Sequence, residues 1–402
     1  MAVQTTSNLS NSIRTQYQAT YELAAYNYRV YDQIAAAVSG MSMEEAMRGS
    51  AVQYPFLSSM TPGTSAISQT TDVTPQVLRD AIATITPTSR YGALQWSEGL
   101  EIQAYTNYAD GRMKKLGENM METIDLLASA AATQGTWVER AAARASLDAG
   151  TSGHRASDSL FRKYHAAMLD LRVPGFVDSN GEANTWAAIM HPFPFHDISE
   201  SGNVDSIGLY QDAGIHLNFE LGKIGTFRFV VTPFAKVFYS AGAANGTAVA
   251  TTVGTESTAL ATTLVTAADV SASIASGLKW TVGTIETGNT HYPENERFKP
   301  LSASTVTITL NGIAENGGLR FGHTVGETVS NADSVYTIIF AGPSSLVKLY
   351  SPAVGEYGQV VGPKTEGLLD QFTSVGWKFY GGYARLSENR LMRYECSTSY
   401  EA

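Results

Sequence analysis

The sequence predicts an α+β fold, and three observations carry that prediction. Apolar residues at three- and four-residue steps mark one long helix between residues 110 and 133. Helical and strand patterns then alternate as far as residue 239. From residue 334 onward, strand patterns follow one another almost without a break.

Taken in order, residues 1 to 15 are polar and expected to order only on binding. Gln16 to Arg48 reads as helix, with Tyr21, Leu23, Ala24, Tyr28, Tyr31 and Ile34 at mixed three- and four-residue steps. Gly40 interrupts it, and Ser42 with Glu45 resembles a capping box for a second short helix. Tyr21, Tyr26, Tyr28 and Tyr31 make a tyrosine-rich face, suited to docking onto another subunit or to packing on its own domain. Residues 50 to 74 are rich in Ser, Thr, Pro and Gly and read as an extended connector. Ile82 to Ile85 and Leu100 to Thr106 read as strands, the second with Leu100, Ile102 and Ala104 on one face. With PTSRYGALQWSEG between them they form a long hairpin-like loop carrying Tyr91 and Trp96.

The long helix has an apolar stripe of Met113, Leu116, Met120, Ile124, Leu127 and Ala131. Gly135 ends it, and Trp137 to Leu147 reads as a second helical stretch. Asp158 to Leu171 is a helix with Leu160, Tyr164, Met168 and Leu171 on one face, stopped by Pro174 and Gly175. TWAAIM reads as a buried strand, and HPFPFHDI leads into a short helix near Asp197. Phe219 to Tyr239 reads as two strands about a turn at Gly222 to Gly225, the second being FRFVVTPFAKVF. From Ser240 to Ala332, Ala, Thr, Ser and Gly dominate, which suggests an exposed, inserted β-rich subdomain. In it Val306, Ile308 and Leu310 alternate, and LRFGHTVGETV reads as a strand pair. VYTIIF, from Val335 to Phe340, is apolar throughout and should lie centrally in a sheet.

Only 16% of residues are charged, against about 25% in ordinary globular chains. Much surface is then expected to be covered, as in an assembly subunit or a cell-surface β protein. The net charge of −10 disfavours gripping nucleic-acid phosphates, and no Lys/Arg run marks a basic arm. The single cysteine, Cys396, cannot form an intrachain disulfide and reads as a small buried residue in a late strand. No secretory signal or membrane span is expected.

Catalytic motifs are sparse. The chain lacks phosphate-loop, dinucleotide, zincin and nucleophile-elbow patterns. Its S-x-x-K at Ser345 to Lys348 lies in an apparent strand without companion motifs. His191, His196 and Asp197 could hold zinc, but a five-residue spacing across two prolines departs from the helical i, i+4 pair. The alternative is a proline-shaped helix entry with His196 or Asp197 near its N-cap. No catalytic, cofactor or metal residue is assigned. Besides an assembly subunit, a β-rich fibre-type binding protein and a hydrolase near His191 and His196 are the competing classes.

Several motifs occur in a fixed order: VTP (Val73 to Pro75), SRYG (Ser89 to Gly92), the helix-ending Gly135 and Thr136, and MHP (Met190 to Pro192). ELGKIGTFRFVVTPFAKVF (Glu220 to Phe238) and GLLDQFTSVGWKFYGGYARLSENRLMR (Gly367 to Arg393) follow. This series resembles the major capsid proteins of the N-four-like tailed phages, within the Hong Kong 97-type capsid fold. The resemblance implies an N-arm over 1–60, a connector and E-loop over 61–107, and a peripheral domain with spine helix over 108–156. It implies an axial domain over 157–239 that is completed by strands over 334–402. Residues 240–333 have no counterpart in that pattern, and the N-terminal arm is longer than the pattern expects. The implied role is a virion shell of homo-oligomeric hexamers and pentamers, made in the host cytoplasm, around DNA bound without sequence specificity. Scaffolding, portal and decoration proteins are its possible partners. No enzyme activity, cofactor or membrane is implied. Tyr21, Tyr28 and Tyr31 on the arm and Tyr91 and Trp96 on the E-loop are the candidate assembly contacts.

Overall fold

A computed structural model describes residues 30–37, 51–58, 60–63, 67, 75–103, 109–177, 185–200, 205–206, 220–244, 248–274, 279–286, 288–290, 292–314, 316–366 and 371–401. These divide into two compact units, one of Met1–Ala128 with Ser344–Ser387, the other of Ser129–Pro343 with Glu388–Ala402. Sheet predominates over helix in both.

The first unit is built on the long helix α2, Ala109–Thr133. Met113, Leu116, Met120, Met121 and Ile124 are buried on its stripe against Val360, Val375, Trp377 and Phe379. Those four residues come from strands β19, Gln359–Glu366, and β20, Phe372–Arg385, of a five-stranded sheet. A two-stranded hairpin pairs β2, Val52–Leu57, with β3, Asp80–Ile85.

The sequence expectations fail here where distant pairing overrides local pattern. Ala35–Ala37 is a strand, β1, parallel to Leu346–Lys348, where helix was expected. Alanine's helix preference is a fraction of a kcal/mol and yields to a sheet edge that needs a partner. Leu100 belongs to helix α1, Glu98–Gln103, not to a strand. So short an alternating run fits either period. The hairpin partner of Ile82–Ile85 is strand β2, Val52–Leu57, and the segment read as a loop is strand β4, Thr88–Ser97.

The second unit centres on an eight-stranded sheet. Strand β17, Val335–Ala341, is buried at every residue and lies between β6, Trp186–Met190, and β21, Leu391–Cys396. The central placement expected for VYTIIF is therefore correct. Helix α3, Asp158–Asp170, buries Phe161, Tyr164 and Met168 against this sheet. Val138–Arg140 is a strand parallel to Arg393–Glu395, not a helix, because Arg140 and Arg144 reach a buried carboxylate at Glu395. The turn after Glu220–Ile224 sits at Gly225, whose φ of 58° suits glycine. Pro233 follows the next strand, Phe227–Val231, and the expected single strand breaks there.

Residues 250–330 form a six-stranded antiparallel sheet. Its outermost strands, Ala250–Thr252 and Thr263–Val265, are joined by a bridge between Val253 and Thr266. Gly254 N donates to Val265 O at 2.8 Å, and Ala267 N donates to Thr252 O at 2.8 Å. The sheet thus closes on itself and leaves no open edge there. Trp280, Phe298, Leu264, Ile308 and Val329 fill its interior. Val306 is only partly buried, because the strand begins at Thr307. LRFGHTVGETV yields one short strand, Thr328–Ser330, instead of a pair.

His323 fastens this closed sheet. Its Nε2 lies 2.9 Å from Glu296 Oε1 and its Nδ1 lies 2.6 Å from Glu327 Oε2. Glu296 also accepts from the backbone N–H of Arg320 and Phe321, and Glu327 from Thr324. Carboxylates only accept, so both ring nitrogens can donate at once only in the cationic ring, the form this site favours. Burial opposes that charge, but Glu296 and Glu327 outweigh it and hold the imidazole above its ordinary 6.5. A raised pKa stabilises the fold fully below the ordinary imidazole range, and that contribution is lost as pH rises through the raised value. The melting temperature should therefore fall on the alkaline side, and His323→Gln should remove that dependence. Equal alkaline slopes for the two proteins would refute the pairing.

Candidate assembly surface

Strand β4 pairs along its whole length with β20, from Ser97 opposite Phe372 to Thr88 opposite Gly381. Among the described residues its other edge has no strand partner. An unpaired edge of ten residues is a template for another chain. The SRYG motif has a local reason. A Cβ on Gly92 would stand 2.6 Å from Trp377 Nε1 and 2.9 Å from Asn119 Oδ1. Those two atoms hydrogen-bond to each other at 3.2 Å, so only glycine lets β4 pass close over α2.

Tyr91 projects from β4 with 82% of its surface exposed. Trp96 is half-buried against the α2 core, with the Arg112 guanidinium 4.5 Å from its ring centre. Tyr31 differs from both. It is fully buried, its N–H donates to Asp125 Oδ1 at 2.7 Å, and its ring has no surface left for a neighbour. Beside it, Asp32 receives the Tyr383 hydroxyl at 2.8 Å and Lys348 Nζ at 3.3 Å. Tyr31 thus fixes its segment within its own unit. Tyr21 and Tyr28 lie outside the described residues.

Large exposed apolar side chains concentrate between residues 57 and 100. Leu57, Val77, Ile82, Tyr91, Leu94 and Leu100 are all exposed, Val77 at 89%. Such a concentration suits a surface for contact with another molecule. Sequence reasoning picked out Tyr91 but missed Val77 and Leu57, because only the observed strand pairing leaves them uncovered.

The histidine cluster does not assemble as expected. His191 is the N-cap of helix α4, Pro192–Ser199, and its Nδ1 accepts from Phe193 N at 3.3 Å. Burial and the nearby Arg297 push its pKa well below the imidazole norm, so it is neutral. The expected capping role thus falls to His191, not to His196 or Asp197. His196 comes together instead with Asp197 and Glu200. Asp197 is already engaged by Ser399 N and Oγ. The described cleft of about 280 Å³ is lined by Asp158, Arg162, His165 and Thr226 and includes neither His191 nor His196. Lys348 of the S-x-x-K match is committed to Asp32 and Glu356, the latter at 2.7 Å. Cys396 is buried in β21, and burial pushes its thiol far up, as suits an inert core residue. No helix among the described residues is long and apolar enough to cross a membrane.

No protein-family model matches the chain, and no curated protein matches it in sequence. Solved structures do. The capsid of Ralstonia phage GP4 superposes with a TM-score of 0.54 at 10% identity, covering 92% of each chain. The capsid of cyanophage P-SCSP1u gives a TM-score of 0.48 at 10% identity over 91% of this chain and 87% of that one. The cyanophage Pam1 capsid gives 0.47 at 11% identity over 94% and 92%. At such low identity the likeness speaks of fold alone, and the first of these carries it: the chain has a phage capsid-protein fold, mixed α and β and mostly sheet.

Proposed function

We propose that this chain is the major head-shell protein of a tailed bacteriophage. It assembles with copies of itself into the hexamers and pentamers of an icosahedral head around double-stranded DNA. The observation that carries this reading is the exposed apolar surface and open strand edge between residues 57 and 100, in a chain with a phage capsid fold. A repeated subunit contact needs such a surface, and many modest contacts make a shell durable.

On this reading the fold is the Hong Kong 97-type. Residues 61–107 are the connector and the E-loop, the latter, about 72–107, lying across a neighbour, and within the arm over 1–60 about 12–60 clasps another. Helix α2 is the spine of a peripheral domain over 108–156. Residues 157–239 and 334–402 make the axial domain, and 240–333 are an inserted β subdomain. The role is structural and not enzymatic, and the acidic balance limits sticking to packaged DNA. Scaffolding, portal and decoration proteins are its expected partners in the virion.

Electron microscopy and size-exclusion chromatography of the expressed chain test this. Shells, tubes or ring-shaped hexamers are expected. A chain that stays monomeric even with its scaffolding partner would overturn the reading and favour a fibre-type or hydrolytic role. Tyr91→Ala should leave the melting temperature of the isolated chain unchanged, because the ring is exposed, yet lower the yield of assembled particles. Equal yields would remove Tyr91 from the contact.

A further inference from the structure

Three buried side chains of the second unit meet. Lys236 and Glu286 are 1% and 0% exposed at the side chain, and Asn295 is 6% exposed. Glu286 Oε2 takes a short hydrogen bond from Lys236 Nζ, while Oε1 accepts from Asn295 Nδ2 at 3.1 Å. One carboxylate therefore touches both an amine and a carboxamide nitrogen.

The surroundings fix each participant. Asn295 Oδ1 accepts from Thr284 N at 2.8 Å, and Nδ2 donates to Thr284 O at 2.7 Å. The backbone of Thr284 thus clasps the amide in one orientation. The Lys236 carbonyl accepts from Thr337 N at 3.2 Å and from its Oγ1 at 2.7 Å, which anchors the base of the lysine stem. Burial disfavours the ammonium, against the pull of Glu286, and Arg144 and Arg393 add repulsion. Burial likewise pushes the Glu286 carboxyl up, against Lys236. Both effects favour a neutral amine beside a neutral acid. A desolvated amine of that kind is a nucleophile, and a carboxyl in contact with nucleophile and leaving group can shuttle the proton.

We propose that Lys236 and Asn295 are joined by an intrachain amide bond that the fold forms by itself, with Glu286 as proton carrier. Glu286 takes a proton from the lysine ammonium through Oε2. The Nζ lone pair then attacks Cγ of Asn295, and the carbonyl electron pair moves onto Oδ1, where the Thr284 N–H stabilises it. Collapse breaks the Cγ–Nδ2 bond as Glu286 delivers its proton to Nδ2. The attacking nitrogen returns one of its own protons to the carboxylate. One C–N bond forms, one breaks and one ammonia leaves, with no change of oxidation state and no external reagent. The bond would tie the segment entering the closed sheet to the start of the strand Glu296–Ser304, a link that survives unfolding. It does not depend on the assembly role.

Intact-mass measurement of the folded, purified chain after denaturation tests this, together with proteolytic mapping. The chain should be lighter than its sequence by one ammonia. A branched peptide should join the segments around 236 and 295, with no cleavage after Lys236. Lys236→Arg and Glu286→Gln should each restore the full mass. A wild-type chain of full mass overturns the proposal. So does an ammonia loss that maps to an Asn–Gly step such as Asn311–Gly312 while Lys236 remains cleavable.

Discussion

Glu395→Gln should unfold the second unit at a far lower denaturant concentration than the wild type, by roughly 3–5 kcal/mol, the usual cost of stranding buried charges. The Glu395 side chain is fully buried on β21. Its Oε1 lies 2.6 Å from Arg144 Nη2 and 3.1 Å from Arg393 Nη2, and its Oε2 lies 3.0 Å from Arg140 Nε. Three guanidiniums thus share one carboxylate. Arg393 also donates to the carbonyl of Thr133, the last residue of α2. Glutamine keeps the volume but removes the carboxylate charge that faces the three cations. The cost comes from the cations left behind, so removing one of them should recover part of it. Arg144→Met in the Glu395→Gln background is expected to be more stable than Glu395→Gln alone. Urea denaturation of the four proteins of the cycle measures this, and additive effects would show that the cluster is not coupled.

Phe340→Ala should cost about 3–5 kcal/mol through the cavity it opens. Phe340 has no exposed surface and lies in register between Met392 and Ala188 on the central strand. Its ring sits 4.5 Å from that of Tyr164, 5.0 Å from Phe227 and 5.5 Å from Phe161. These rings come from two different elements, helix α3 and the strand Phe227–Val231, so no single neighbour can move to fill the space. Phe161 also meets Phe227 at 5.9 Å and Phe229 at 5.1 Å. Phe161→Ala and Phe340→Ala together should therefore cost less than their sum, because the second truncation enlarges a cavity that already exists. Thermal melts of the single and double variants check this, and full additivity would mean the site collapses around each loss separately.

The open edge of β4 was only partly legible in the sequence. Tyr91 and Trp96 stand out as aromatics in a polar stretch, but nothing local indicates that the stretch is a strand held by residues 372–381. The hairpin of Val52–Leu57 with Asp80–Ile85 was hidden for the same reason, since its partners lie far apart along the chain. Lys236, Glu286 and Asn295 occupy no recognisable spacing. They meet only because Lys236 precedes a strand that pairs with β17, while Glu286 and Asn295 flank two neighbouring strands of the closed sheet.

What the sequence determined by itself is whatever one side-chain period can encode. The stripe from Met113 to Ile124 made α2 a helix with one buried face, the faces of Asp158–Asp170 did the same, and unbroken apolar runs made β6 and β17 interior strands. The tertiary structure alone decided strand order, register and charge pairing. It turned Ala35–Ala37 and Val138–Arg140 into strands, closed residues 250–330 into a ring of strands, and buried Glu395 among arginines. Local preferences differ by a fraction of a kcal/mol per residue, whereas a paired strand edge or a neutralised buried charge is worth several times that. Where the two compete, the distant partner wins, and a distant partner is what a local reading of the chain cannot see.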